Sequence, residues 1–419
     1  MAEPNDNSRL HPQLNLFDAV ATGLAAILGA GIFSVIAPAA GIAGPALLVS
    51  FLIAASVALC NALSSAQLAS IFPRSGGTYE FGRQVLGPWW GYLAGWMFLI
   101  ANTIGPGVIA LTFGYYLHSA FNAVPARPAA VMAILIVTAI NTAGIHRSVH
   151  ITDVIVIMSI ASLVAFVILG LPHGNLANFV PFAPSFGFTG VLHATGLIFF
   201  AYTGYSRIAT LVEEVHNPRR TIPRATILAL GSVTLLYLFV VGTAISVMGT
   251  TKLSQSSSPL EDTLLTLGSG IGPVIVSAGA LLTTFNEALS DLLGVSRVAF
   301  AMGRVGDLPK QLAYLGSGHN PWPSVVFVGA IAILVSSFFP FESAVAVSSF
   351  GTLFYYSVTN LSALRLKANQ RLYPRGLAIA GLIGCIGLSI FLPLQDIELG
   401  ITIALVGMVL RLVRKVLSQ

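Results

Sequence analysis

Residues 19–73 contain no Lys, Arg, Asp or Glu, and this stretch constrains the fold of the chain more than any other. Near its start, the run Gly29-Ala30-Gly31-Ile32-Phe33 interrupts an apolar segment with two glycines, which weaken a helix. Lipid offers no hydrogen bonds to irregular backbone, so a break in a spanning helix must face protein or a water-filled cavity. The sequence therefore predicts a membrane protein with a cavity beside residues 29–31.

Composition supports a membrane protein over the whole chain. The 419 residues are 55% hydrophobic and only 8% charged, whereas a soluble domain carries about 25% charged residues. Apolar runs of about 17 to 25 residues predict an all-α integral membrane protein with about twelve transmembrane helices. The predicted spans are 16–37, 45–70, 88–118, 128–144, 152–171, 189–210, 225–248, 273–301, 324–340, 343–364, 376–393 and 397–414.

The distribution of basic residues predicts the orientation. If both termini are cytoplasmic, Arg127 and Lys252 are the only basic residues on the outside, as the positive-inside rule requires. We therefore expect a multi-pass protein of the plasma (inner) membrane, embedded in the lipid bilayer, with cytoplasmic tails at 1–15 and 415–419. The net charge of +5 reflects this topology, and no nucleic-acid partner is expected.

A second interruption lies in the sixth predicted span, at Phe199-Phe200-Ala201-Tyr202-Thr203-Gly204-Tyr205. Paired interrupted segments in corresponding positions indicate the binding site of a transporter built from inverted repeats. The predicted organisation is spans 1–5 over residues 16–171, an inverted second repeat over 189–364, and two further spans over 376–414. For either glycine cluster alone, the alternative is close packing of helices through small residues.

Five motifs in the same order resemble those of the amino acid–polyamine–organocation superfamily of transporters. They lie at residues 29–33, 72–79, 199–204, 213–224 and 296–310. The resemblance implies the leucine-transporter fold, with five plus five helices in inverted repeats, and amino acids or related amines as substrates.

The resemblance also implies a substrate site made largely of backbone. Freed N–H groups at the start of a half-helix suit a carboxylate, and freed carbonyls of the sixth span suit an ammonium group. Phe200 matches the position of an aromatic gate in the family, although a packing role is the alternative. The expected substrate-binding residues are Gly29, Ala30, Gly31, Phe200, Ala201 and Thr203. No acid lies in either interruption, which favours neutral amino acids, and Asn102 is a candidate for lining the pathway.

The mechanism that couples transport to an ion is expected to differ from that of many members of this superfamily. A lysine of the fifth helix that stands in for sodium in those members corresponds here to Ser159. Glu287 and Asp291 lie one turn apart in the eighth span with Ser290 between them, and ionisable groups inside a bilayer usually have a functional role. Two close carboxylates favour proton binding, whereas Na⁺ near Asp291 would keep both ionised. An ion pair with the inner arginines is the structural alternative.

We therefore expect a secondary-active amino acid transporter that works by alternating access and is coupled to H⁺ or Na⁺. The alternatives are a cation-independent exchanger or uniporter for amino acids or polyamines, and a channel. The motifs His-Glu-x-x-His, Gly-x-Ser-x-Gly and the phosphate loop are absent, so an enzyme is not expected. No cofactor and no metal other than a coupling ion are expected, and the sequence defines neither an oligomeric state nor an accessory subunit.

Overall fold

The protein is described by a computed structural model that covers residues 15–72, 77–144, 149–182, 187–205, 208, 215, 217–268, 270–316 and 320–417. Parts of two sequence motifs, 73–76 of the motif at 72–79 and 213, 214 and 216 of the motif at 213–224, lie outside these residues, as does nearly all of the N-terminal tail. The described residues form helices and contain no β-ladder. The α-helices are α1 (Leu16–Ile27), α2 (Ala30–Ser34), α3 (Ile36–Ala43), α4 (Leu47–Ile71), α5 (Thr78–Val85), α6 (Pro88–Ala120), α7 (Ala126–Thr142), α8 (Val149–Gly170), α9 (Gly187–Ile198), α10 (Pro218–Met248), α11 (Thr250–Leu253), α12 (Pro259–Leu265), α13 (Ile271–Val305), α14 (Trp322–Phe338), α15 (Phe341–Leu364), α16 (Arg375–Ile390) and α17 (Leu394–Leu417).

Apolar helices long enough for a bilayer confirm a multi-pass membrane protein. Within the described part of the chain, five helical stretches have the length and hydropathy of a span, and the bent pair α16–α17 allows a sixth. Three further apolar helices, α1, α7 and α14, are only 12 to 17 residues long. Each predicted span overlaps helix within the described residues, but the length criterion does not establish the predicted number of crossings, partly because broken helices are short.

Local signals explain several helix ends. Asn15 caps α1: its side chain accepts hydrogen bonds from the backbone N–H groups of Phe17 and Asp18, and the Asp18 carboxylate accepts one from the N–H of Asn15. Such a reciprocal capping box satisfies N–H groups that have no partner within the helix. At the far end of the first span, α3 stops at Gly44, whose φ of +58° suits glycine.

Two groups of helices surround the centre of the molecule. One large core cluster is built mainly from α1, α3, α4, α9 and α10, and a second from α6, α13, α14 and the first half of α15. The long helix α6 contacts α7, α13, α14 and α15, while α10 contacts α1 and α4. The interrupted segments of the first and sixth spans lie between the two groups, which positions them to line an internal cavity.

Candidate functional site

The first span is broken at the glycine cluster. Helix α1 ends at Ile27, Leu28 and Gly29 adopt extended backbone, and α2 starts at Ala30. Helical hydrogen bonding then continues through Val35, whose N–H donates to the carbonyl of Gly31 and whose carbonyl accepts from Ala39. Residues 30–43 therefore form an almost continuous half-helix, and the N–H groups at its start are available for bonds outside the helix.

The interruption of the sixth span takes a different form from the one expected. Residues Phe199–Tyr205 are a 3₁₀-helix that follows α9 directly, not an unwound segment. Seven residues are a long run for this tighter helix, which often marks a hinge. The carbonyl of Phe200 accepts a hydrogen bond from the Thr203 hydroxyl at 2.9 Å, and the Tyr237 hydroxyl lies 3.5 Å from the carbonyl oxygen of Ala201.

The two interruptions pack against each other through main-chain atoms. A Cβ atom on Gly31 would lie 2.5 Å from the Cα of Ala201, and one on Gly204 would lie 1.6 Å from the carbonyl oxygen of Ala26. Both distances are below van der Waals contact. Close packing, which was the alternative for these glycines, and the helix break are therefore both present. The absence of glycine side chains permits both.

The carboxylate of Glu287 lies at the break in the first span. Its Oε2 accepts a hydrogen bond from the N–H of Ala30 at 2.6 Å. A Cβ on Gly29 would lie 2.0 Å from Oε1 of the same carboxylate, so only glycine leaves room for it. The Glu287 carboxylate of α13 thus accepts the Ala30 N–H, which the sequence analysis had assigned to a substrate carboxylate.

A cavity of about 760 Å³ connects the predicted site residues. It is lined by Gly29, Gly31, Phe200, Ala201, Thr203, Glu287, Ser290 and Asp291, and also by Asn102. Ala30 is fully buried and contributes its N–H to the bond with Glu287. The cavity extends past Arg297 to Tyr79 and Met302, at the end of the bundle where the basic connections lie.

The opposite end of the cavity is closed by a hydrogen-bonded network. The Tyr116 hydroxyl donates to the carbonyl of Phe33 at 2.8 Å and accepts from the N–H of Leu260 in α12 at 3.3 Å. Nearby, the hydroxyls of Ser34 and Thr112 are 2.9 Å apart. These contacts join the half-helix after the break to α6 and α12, and none of their residues lines the cavity.

Asp291 and Ser159 occupy different surroundings. Asp291 faces α6, where a Cβ on Gly105 would lie 3.1 Å from its Oδ2. Ser159 is buried outside the cavity lining, and its hydroxyl lies 2.5 Å from that of Thr283 on α13. Ser159, which the sequence analysis matched to the family lysine, therefore contacts Thr283, one turn before Glu287 on the eighth predicted span.

Sequence reasoning missed Tyr237 of α10. Its fully buried hydroxyl donates to the carbonyl of Ile27 at 3.2 Å and reaches toward Ala201, so it ties the end of α1 to the 3₁₀ segment. A tyrosine within an ordinary apolar span carries no local signal for this role, since the role depends on which way α10 faces.

Tyr79 marks the wide end of the cavity, outside the spans. Its hydroxyl donates to Oδ2 of Asp307 at 2.9 Å. Burial, together with the negative charge of Asp307, raises the pKa of Tyr79 to about 12. Among the described residues, no group of three or more His, Cys, Asp or Glu side chains is arranged to hold a metal ion.

Comparison with known proteins identifies the type of molecule that contains this cavity. The family model described as amino acid permease matches residues 18–410. The chain belongs to the amino acid permease family. This membership confirms the resemblance seen in the motifs and identifies a membrane transporter, not an enzyme.

Individual relatives extend over nearly the whole chain. An uncharacterized transporter of Mycobacterium tuberculosis (strain H37Rv) is 39% identical, over 100% of this chain and 94% of its own length. The branched-chain amino acid permease BcaP of Bacillus subtilis is 28% identical, over 93% of this chain and 88% of its own. A methylthioribose transporter of the same species is 31% identical, over 84% and 81% respectively.

Proposed function

We propose that this permease is a secondary-active transporter of neutral amino acids that works by alternating access. The observation that carries the proposal is that both helix interruptions and the acids of α13 line one cavity. In this proposal the chain crosses the plasma membrane twelve times, with two inverted repeats of five spans, two further spans and both termini in the cytoplasm.

The pattern of helix contacts supports the inverted repeat. In that arrangement spans 1 to 5 correspond to spans 6 to 10, so each contact should have a counterpart. The contact of α1 with α10 (spans 1 and 7) has its counterpart in α9 with α4 (spans 6 and 2). Likewise, α6 contacts α14 and α15 (spans 3, 9 and 10), while α13 contacts α7 and α8 (spans 8, 4 and 5).

The substrate zwitterion is proposed to bind between the two interruptions. Its carboxylate would accept hydrogen bonds from the N–H groups of residues 29–31, at the positive end of the half-helix. Its ammonium group would donate to the carbonyls of the 3₁₀ segment and to Thr203. In a 3₁₀-helix each of these carbonyls also accepts a backbone N–H three residues on, so the ammonium group would replace the Thr203 or Tyr237 hydroxyl at Phe200 or Ala201.

An apolar side chain is the best match to the remaining wall. Phe98, Ile109 and Val295 line the cavity together with Phe200. A relative named as a branched-chain amino acid permease is consistent with this wall. We therefore propose neutral amino acids with apolar side chains as the first substrates to test.

The state described here corresponds to an inward-open carrier in this proposal. The cavity reaches the basic end of the bundle at Arg297 and Tyr79, whereas Tyr116 and Leu260 seal the other end. Phe200, which is 7% exposed and lines the cavity, would act as the aromatic gate. Transport would require the sealed contacts to open and the inner end to close.

Coupling is proposed to use one acid of α13, which is Glu287 for H⁺ or Asp291 for Na⁺. Glu287, Ser290 and Asp291 line the cavity, so cavity water or a coupling ion reaches them from the inner end. We favour H⁺ as the coupling ion, and Na⁺ near Asp291 is the alternative that the gradient experiment distinguishes. Ser159 would act indirectly, through its contact with Thr283 one turn from Glu287.

Uptake by purified protein in proteoliposomes tests the proposal. A panel of labelled amino acids is offered under an imposed proton gradient, a sodium gradient or neither. We expect saturable uptake of apolar amino acids that a proton gradient increases. Ohmic current without saturation would indicate a channel, and uptake that depends on amino acid inside the vesicle but on no gradient would indicate an exchanger.

Two glycine variants connect uptake to the site. Gly31→Leu should abolish uptake in correctly inserted protein, because its side chain would clash with the backbone of Ala201. Gly231→Leu is the matched control, since Gly231 is exposed on α10 and no atom lies within 4 Å of its Cβ position. Undiminished uptake by Gly31→Leu would contradict the proposed site.

A further inference from the structure

The carboxylate of Glu287 is held where a substrate carboxylate is proposed to bind. It accepts the N–H of Ala30 at 2.6 Å and lies against the Cα of Gly29, both at the start of the half-helix. A hydrogen bond from N–H to a charged carboxylate is shorter and stronger than a neutral one. The bond between Glu287 and Ala30 therefore stabilises the inward-open arrangement of the site.

Two carboxylates cannot occupy this position together. The N–H of Ala30 is a single donor, and like charges at contact distance repel strongly where little water is present. A zwitterionic substrate must consequently compete with Glu287 for Ala30, or bind with its carboxylate elsewhere. A ligand without a carboxylate would not meet this competition.

We propose that Glu287 is a built-in competitor for the substrate carboxylate, and that a proton on Glu287 releases the Ala30 amide to the substrate. This inference rests on the proposed function and specifies how the proton is coupled. The proton passes from water in the cavity to a carboxylate oxygen of Glu287, and no other covalent bond changes. The neutral acid then accepts from Ala30 less strongly than the charged substrate carboxylate does.

The charged and titratable groups around Glu287 define the proper controls. Asp291 follows one turn later on α13, and Arg297 is the one basic residue among the described residues that line the cavity. Tyr237 of α10 interacts electrostatically with Glu287, and Tyr355 and Tyr356 of α15 line the same cavity. The neighbouring residues of α8 and α6, Ser159 and Asn102, do not titrate. Asp291 is therefore the competing site for a proton, and Asp291→Asn is the matched control.

The experiment measures equilibrium binding to the full-length protein in lipid nanodiscs between pH 5.5 and 8. The probes are the proteinogenic amino acids, of which the tightest binder is carried forward, and the amino alcohol that replaces its carboxylate by a hydroxymethyl group. For the wild type, the amino acid should bind more tightly as pH falls, by at most about tenfold per pH unit for one proton. Binding of the amino alcohol should change little, because it does not compete with Glu287.

Glu287→Gln and Glu287→Ala should bind the amino acid at pH 8 as tightly as the wild type does at pH 5.5, and without further pH dependence. Asp291→Asn should keep the wild-type pH dependence. The use of two variants at Glu287 guards against a folding defect in either one, and thermal unfolding of each identifies such a defect.

Three results would overturn the inference. They are a pH dependence that survives both Glu287 variants, a loss of amino acid binding at every pH in both folded variants, and a pH dependence that Asp291→Asn abolishes. Failure of the proposed function gives a different result, since the wild type would then bind no amino acid at any pH and transport none.

Discussion

Gly204 and Ala26 bring the two interrupted spans into main-chain contact. A Cβ on Gly204 would lie 1.6 Å from the carbonyl oxygen of Ala26 and 2.2 Å from its carbonyl carbon. Backbone cannot move aside as the end of a flexible side chain can. The relative position of α1 and the 3₁₀ segment therefore depends on this glycine, and so does the wall of the cavity that both line.

Gly204→Ala should separate the two interruptions and destabilise the protein. Overpacking a close contact typically costs about 1 to 3 kcal/mol, and main-chain contact places the effect toward the upper end. The unfolding temperature in detergent and the rate of amino acid uptake should both decrease. Gly231→Ala is the control, with open space around its Cβ position. Equal unfolding temperatures for the two variants would contradict the described contact.

The pair Ser159 and Thr283 should show a small favourable coupling energy. Their hydroxyls lie 2.5 Å apart across α8 and α13, and such interhelical bonds average about 0.6 kcal/mol in membrane proteins. A double-mutant cycle with Ser159→Ala and Thr283→Val, followed by thermal unfolding, measures this energy. A large change in gradient response by Ser159→Ala without loss of stability would instead indicate a direct role in coupling.

Glu261 should make the free energy of unfolding depend on pH. This side chain of α12 is 5% exposed, and its Oε2 has no hydrogen-bond partner among the described residues. Burial raises the pKa of the Glu261 carboxyl above its ordinary value of 4.5. The native state thus binds the proton more tightly than the unfolded state, so this contribution to stability is complete below pH 4.5 and lost as pH rises through the raised pKa.

Glu261→Gln should remove the decrease in stability at higher pH, since the glutamine amide stays neutral. The variant should unfold at a higher temperature than the wild type at pH 7 to 8 and at a similar temperature at low pH. Asp262→Asn, one residue away, should keep the wild-type trend. The same fall in stability with pH in the Glu261 variant would show that another group is responsible.

The hydrogen bond between Tyr79 and Asp307 should stabilise the end of the cavity that Tyr79 lines. Tyr79→Phe removes the 2.9 Å hydrogen bond and should lower the free energy of unfolding at pH 7 by about 1 kcal/mol. Since the pKa of Tyr79 is raised to about 12 from 10, the wild-type bond contributes fully below pH 10 and is lost as pH rises through about 12.

The difference in stability between wild type and Tyr79→Phe should therefore shrink over that alkaline range. Chemical unfolding at pH 8 and at pH 11.5 measures the difference. Tyr314→Phe is a control on an exposed ring and should have little effect at either pH. A difference that stays constant with pH would mean that the hydroxyl of Tyr79 does not contribute through Asp307.

The features that follow from local chemistry could be predicted from the sequence. Long apolar runs specify membrane helices, because each residue in lipid must be apolar and each helix satisfies its own backbone. The glycines at 29 and 31 weaken a helix locally, and α1 ends at Ile27, two residues before Gly29. The capping box of α1 is likewise local, since it joins Asn15 to Asp18 three residues later.

The form of the second interruption was less predictable. Aromatic and small residues at 199–205 signal that a regular helix is disfavoured, but they do not distinguish an unwound segment from a 3₁₀-helix. The choice depends on the partners of each carbonyl, and one of these, Tyr237, comes from a different helix.

The sequence by itself indicated a membrane transporter of the permease family, the two interrupted segments, and the two acids that lie one turn apart in a long apolar segment. Only the tertiary structure decided what those residues contact. Glu287 reaches an N–H group 257 positions away, and the Ser159 hydroxyl contacts Thr283 of α13. The rotation and register of packed helices set such contacts, and these depend on all surrounding side chains at once and not on any local run of residues.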